Sequence, residues 1–207
     1  MDTETSERLH NLPYSFDDVG RILVEENRVL RVVNDPIYIK LYRDVIKSAA
    51  FNTLVTKGLI KTKIVKDDDL NSILILEHKK LDFVLSPAEY TNLMFWEATH
   101  MYVKLSIELY NNYGILTKDA HPWNITFSGN KPIFFDFSSL YKGNTITNHW
   151  FKEFEKYFAT AIYLASYSKW TYPMSLEYRR EHLTGIGTYI FSKKLFKNFW
   201  NRKYLNP

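Results

Sequence analysis

The chain is predicted to be an α+β protein of two lobes, a small β-rich one over residues 14–84 and a mainly helical one over residues 85–207, with a flexible leader at residues 1–13. Two observations carry that division. Before residue 84 the apolar residues largely alternate, in the runs 20–33 and 59–85, with β-branched side chains on both sides of polar turns. Beyond it they recur three and four residues apart, over 90–109 and again over 150–165, which is the spacing of a buried helix face. The composition suits such a core, with 207 residues of which 45% are hydrophobic and 16% aromatic. Cysteine is absent, which excludes disulfides, cysteine zinc sites and a cysteine nucleophile and fits a cytoplasmic setting. The net charge of +4 names no partner and gives no reason to expect specific nucleic-acid binding. Neither a signal peptide nor an apolar run long enough to span a membrane is present.

In chain order, residues 20–33 read as a β-hairpin turning at Glu26-Asn27. Asp35 and Pro36 then mark a helix start, with Asp as N-cap and Pro at the first position. The helix is expected to run to about Lys57, with Ile39, Tyr42, Val45, Ile46, Ala49, Ala50, Leu54 and Val55 as its buried stripe, a break open near Lys47-Ser48, and Gly58 as its stop. Arg31 and Lys40 are candidate phosphate contacts, weighed against a solvated basic face. Two strands should follow on either side of residues 66–71, whose triple Asp reads better as a solvated turn than as a calcium loop lacking its Gly and distal Glu.

Ser86-Pro87-Ala88-Glu89 has the form of a capping box, so a long helix is expected from there to Gly114. Its buried face is read as Tyr90, Leu93, Met94, Ala98, Met101, Tyr102, Leu105 and Leu109, while Glu97, His100 and Glu108 share no single metal-binding face. A second aromatic helix begins at His149-Trp150 and is read as packing Trp150, Phe151, Phe154, Tyr157, Phe158, Ala161, Ile162 and Ala165. A short helix at 175–182, a Gly185-Ile186-Gly187 turn and a final helix complete the pattern. That last helix interleaves Lys193, Lys194, Lys197, Arg202 and Lys203 with aromatic residues, so 193–204 packs on the helical lobe, contacts a membrane surface or binds nucleic acid, the first being favoured.

The chemistry concentrates in residues 115–140. Asp119 precedes Asn124 by five residues, and a strand starting at Pro132 delivers Asp136 at its end. The runs 124–127 and 132–135 flank a Ser-Gly-Asn-Lys turn, so antiparallel pairing should set Asn124 opposite Asp136. A carboxylate and a carboxamide brought together suit a hard cation such as Mg²⁺, whose remaining positions go to phosphate and water. Asp119 would be left for a substrate hydroxyl. The competing reading is that these Asp and Asn side chains merely close their own turns.

At these residues the sequence resembles protein kinases, in the catalytic-loop spacing of Asp119 to Asn124 and in Asp136-Phe137-Ser138, which is similar to D-F-G. The loop Asp119-Ala-His121-Pro-Trp-Asn124 looks still more like that of aminoglycoside and choline kinases. A closer resemblance covers about residues 20–158 and is to the kinase-like segment of a bacterial, nodulation-associated family usually labelled SAM-dependent methyltransferases. There a Leu-x-Lys-Asp-Ala loop followed by Asn is similar to Leu116–Ala120 here, with a strand like Pro132–Asp136 behind it. The resemblance implies a kinase-like fold, ATP and Mg²⁺ as cofactors, Asn124 and Asp136 as metal ligands, Asp119 as the group that deprotonates an acceptor hydroxyl, and Lys118 as a phosphate contact. It further implies a hydroxyl-bearing small molecule or saccharide as acceptor. The departures are specific: Thr117 and Lys118 stand where kinases carry His and Arg, Ser138 replaces Gly, residues 20–33 hold no G-x-G-x-x-G, and no Glu lies between Glu26 and Glu77 to pair with a phosphate-binding lysine. These keep open a second reading, a pseudokinase or nucleotide-binding module partnered with a glycan-modifying methyltransferase. That methyltransferase would be a separate protein or domain, since no glycine-rich SAM motif is present here.

Overall fold

Two hairpins and the helices between them build the first half of the structure, a computed structural model that describes residues 19–67, 73–143, 145 and 147–167. The leader at 1–13, Asp68 and Asp69 of the acidic turn, the 175–182 helix, the 185–187 turn and the basic aromatic segment 193–204 lie outside those residues. Strands β1 (Gly20–Val24), β2 (Val29–Val33), β3 (Thr62–Asp67) and β4 (Leu74–His78) form one antiparallel sheet in the order β1-β2-β4-β3. As expected, β1 and β2 close through a short turn, with Val24 opposite Val29 and the Glu25 amide bonded to the Arg28 carbonyl at 2.9 Å. The pairs Val29–His78, Arg31–Leu76 and Val33–Leu74 place β2 and β4 side chains on a common face. That face joins the main core through Val33, Leu74 and Leu76, while Leu30, Val32 and Ile75 form a separate small cluster on the opposite one.

Helix α1 (Pro36–Lys47) starts as its sequence dictates: the Asp35 side chain accepts from the Ile37 amide at 2.8 Å and Pro36 occupies the first turn. It ends at Ser48, whose extended backbone and hydroxyl bond to the Val45 carbonyl break the stretch before α2 (Phe51–Thr56). The break resets the helical phase, so Phe51 is buried while Ala49, expected in the stripe, faces solvent; on α1 Leu41 is buried as well. Gly58 follows with φ 113°, where an added Cβ would sit 2.5 Å from the Met101 sulfur. Asp67, the described member of the triple Asp, pairs with Arg43 and Lys47, which hold its carboxyl below the usual carboxylate range.

The long helix begins later than its cap signal suggests. Ser86 and Glu89 do form a reciprocal capping box, but it closes only the single turn Pro87–Glu89, and α3 (Asn92–Tyr113) starts behind a second cap, Thr91. Tertiary contact explains the interruption: the buried Tyr90 ring meets Phe127 edge-on and its hydroxyl donates to the Ile125 carbonyl at 2.6 Å, holding its backbone extended. The buried face of α3 is therefore Phe95, Ala98, Thr99, Tyr102, Leu105 and Leu109, and Leu93, expected inside, is 68% exposed. Gly114 ends the helix in the left-handed region at φ 61°.

After β5 (Ile115–Thr117), β6 (Ile125–Ser128), β7 (Lys131–Phe134) and β8 (Leu140–Lys142), helix α4 (Asn148–Phe154) widens into a π turn at Glu155–Ala159 before α5 (Thr160–Tyr167). The Thr160 hydroxyl bonds to the Glu155 carbonyl at 2.8 Å within this turn. Trp150 stacks on Phe154, which meets Phe158 at a tilt, whereas Phe151, expected on the packed face, is 53% exposed. Among the described residues no helix is long and apolar enough to cross a membrane.

The sheet also buries a polar row. Arg31 Nε lies 3.3 Å from His78 Nε2, and His78 Nδ1 lies 2.8 Å from the Thr62 hydroxyl, itself 3.1 Å from the Ile60 carbonyl. A guanidinium only donates, so Nε2 accepts, Nδ1 carries the proton and donates to Thr62, and Thr62 donates onward. Burial first, and Arg31 second, push the His78 imidazole down to about 3. In the unfolded chain it takes a proton below about 6.5. The unfolded state thus binds the extra proton between those values, and stability fully present above about pH 6.5 drains as the pH falls toward 3. Chemical denaturation at pH 7 and pH 5 should show a clear loss at the lower pH, flattened in His78→Gln.

Candidate active site

The hairpin of β6 and β7 supplies the site's floor. Ile125 pairs with Phe134 and Ser128 with Lys131, so the turn is the two-residue Gly129-Asn130, with Gly129 at φ 62°. The register differs by one from that expected from the sequence: the Phe135 amide bonds to the Asn124 carbonyl at 3.0 Å, so Asn124 faces Phe135 and Asp136 lies one residue further on. The cause is local, since Asn124 ends a 3-10 turn, Pro122–Asn124, and is not the first residue of the strand. Asn124 and Asp136 still leave the same end of the hairpin. The Asn124 amide nitrogen is buried with no hydrogen-bond partner among the described residues. On Asp136 one carboxylate oxygen accepts from the Ser138 hydroxyl at 2.5 Å, so the serine standing in the glycine position orients that carboxylate.

A second loop, bearing Asp119, is fastened alongside. β5 pairs with β8 through Ile115–Lys142 and Thr117–Leu140, and the Lys118 amide reaches the Ser139 carbonyl at 2.7 Å. From below, the buried Tyr102 hydroxyl contacts the Asp119 carbonyl at 2.9 Å and the Thr117 hydroxyl at 2.6 Å, and Trp150 Nε1 bonds to both hydroxyls. Burial pushes the Tyr102 phenol up, so it stays a neutral donor. From the side, Glu153 on α4 accepts the Ala120 amide at 2.9 Å. Asp119, His149 and Glu153 bring their ligand atoms within 4.8 Å of one another. Trp123, 37% exposed, stands on the same loop edge-on to Tyr157 and His121.

The remaining expected residues are placed differently from one another. Lys118 is half-buried with its ammonium 5.1 Å from the centre of the Tyr38 ring on α1. Lys40 is exposed on α1, in keeping with a solvated basic face. Arg31 departs from that reading because it is only 4% exposed and turned inward. Desolvation lowers its affinity for a proton, and the nearby Tyr42 and Asp136 favour its charge. Tyr42 and Phe137 meet edge-on at 5.1 Å, and Phe137 also packs on His78, so helix, hairpin and sheet converge behind Asp136. His78, Glu153 and the Tyr102 contacts were not singled out from the sequence. For Glu153 a weak signal exists, its i,i+4 spacing from His149, whereas the others arise from contacts far apart in the chain.

No family model and no curated protein sequence matches the chain. Among solved structures it is similar to one described as the Legionella pneumophila Lpg2603 kinase bound to IP6, at 12% identity and a TM-score of 0.42, over 79% of this chain. The match spans 65% of that kinase chain, a little under two thirds of its length.

Proposed function

We propose that the chain is a small, two-lobed, kinase-like phosphotransferase that moves the γ-phosphate of ATP to a hydroxyl of a small molecule or saccharide. One observation carries this: Asn124 and Asp136 leave the same end of one hairpin, and the Lys118–Ser139 backbone bond ties the Asp119 loop beside them. The donor set fits Mg²⁺, with a carboxamide whose nitrogen is buried without a partner among the described residues and a carboxylate already oriented by Ser138. When bound, Mg²⁺ supplies neutralisation of the charge on the transferred phosphoryl group. Asp119 accepts the proton of the acceptor hydroxyl as its oxygen bonds to phosphorus and the bond to the departing ADP oxygen breaks. Lys118 and the exposed Lys40 are the cations available to phosphate. The half-exposed Trp123 beside Asp119 favours a small acceptor with an apolar ring face, such as a saccharide. The setting is proposed to be cytoplasmic.

The test is a thermal-shift titration with ATP, with and without Mg²⁺. A ligand at a hundred times its dissociation constant adds about 2.7 kcal/mol of stability. A Mg²⁺-dependent rise in Tm that disappears in Asp136→Ala is the expected result. One feature favours the second reading, a pseudokinase module serving a glycan-modifying methyltransferase: the β1–β2 turn carries Glu25 and Glu26 where a kinase covers phosphates with glycines. No shift at millimolar nucleotide in a folded protein selects that reading.

A further inference from the structure

We infer that Arg31, His78 and Thr62 form a buried relay that positions Asp136 from inside the sheet. The relay runs into the backbone that carries Asp136. Phe134, two residues before Asp136, accepts the Ile60 amide at 3.0 Å and donates its own amide to the Gly58 carbonyl at 2.7 Å. The Ile60 carbonyl accepts from Thr62, Thr62 accepts from His78, and His78 accepts from Arg31. At its middle the His78 ring packs on Phe137, the residue after Asp136, with ring centres 5.6 Å apart, and the charge of Asp136 favours that of Arg31. Each bond has one allowed direction, because a guanidinium has no acceptor and a carbonyl no donor. A polar chain this deep persists only if its members satisfy one another, so loss of one link is felt at the far end. Arg31, His78 and Thr62 are 4%, 6% and 4% exposed, which leaves them no direct role with a solvent-borne ligand and a clear one through the carboxylate. They are positioning residues, and the metal-binding part of the assignment rests on the proposed reading of Asp136.

Two measurements on the full chain separate the relay from that reading. Hydrogen exchange by mass spectrometry reports on residues 133–140 without any ligand, in Thr62→Val, Thr62→Ser and Arg31→Met. Thr62→Val removes one hydroxyl at nearly constant shape, so it guards against Arg31→Met failing to fold. The expected result is faster exchange over 133–140 in Thr62→Val, restored by Thr62→Ser, with residues 98–109 of α3 unchanged. Calorimetry with Mg-ATP should then show about tenfold weaker binding in Thr62→Val and Arg31→Met, the usual scale for loss of a group that orients a ligand. Unchanged or uniformly raised exchange overturns the relay. Faster local exchange with wild-type affinity overturns its role at the metal site. If the wild type binds no Mg-ATP, the phosphotransferase reading falls, and local exchange restored by Thr62→Ser still supports the relay as the mount of Asp136.

Discussion

Asp119→Asn is expected to lower phosphoryl transfer about 10²–10⁴-fold, the usual contribution of a positioned proton acceptor, while Mg-ATP affinity stays within about twofold. The separation follows from how the loop is held. Its carbonyl at Asp119 is bound by the Tyr102 hydroxyl, its Ala120 amide by Glu153, and its Lys118 amide by Ser139, so none of these bonds uses the Asp119 side chain. Exchanging carboxylate for carboxamide leaves that frame in place and removes only the proton acceptor. The measurement is single-turnover transfer to an acceptor found by screening, beside calorimetric Mg-ATP binding. Unaltered transfer would move the proton-accepting role to a neighbour, and Glu153 and His149 are near enough to be tested by Glu153→Gln and His149→Asn.

The parts of this molecule that were legible in advance are those written in short-range chemistry. Asp35 with Pro36, the Glu26-Asn27 turn and the Ser-Gly-Asn-Lys turn each act through neighbours in the chain. The spacing of Asp119, Asn124 and Asp136 was legible for the same reason, as one loop and one hairpin span it. Where long-range contact competes with a local signal, the local signal gives way. Ser86 has a complete capping box, yet the Tyr90 contacts to Ile125 and Phe127 end its helix after one turn. The helical spacing that puts Trp150, Phe154 and Phe158 in the core also admitted Phe151, which tertiary packing leaves 53% exposed. Arg31 looked like a surface cation because strand alternation gives the side of a sheet and not what covers it. Its partner His78 is 47 residues away, beyond any pattern in the local sequence.

Tyr102→Ala is expected to cost about 4 kcal/mol or more, the range for truncating a large buried ring, against a total stability of about 5–15 kcal/mol for a domain. The ring is fully buried and packs on Phe134, Trp150 and Phe158, so it joins the hairpin that bears Asp136 to the helix that bears Glu153. Tyr102→Phe isolates the hydroxyl. Its single proton goes to the Asp119 carbonyl, which can only accept, so the Thr117 hydroxyl must donate to it and the Trp150 N–H must be shared between the two hydroxyl oxygens. Removing it leaves Thr117 and Trp150 bonded to each other at 3.0 Å and strips the Asp119 carbonyl of this donor. The cost should therefore be about 1–3 kcal/mol, that of a buried polar group left without its partner. Denaturant unfolding of Tyr102→Phe, Thr117→Val and the double variant checks the assignment, because groups in one network show a coupling of about 0.5–3 kcal/mol and independent ones add. Additive losses would mean that the hydroxyl only fills space beneath the loop. Coupled losses would mean that the Asp119 loop is set from α3, the helix that also carries the core, so the stability of the fold and the placement of the proton acceptor depend on the same oxygen atom.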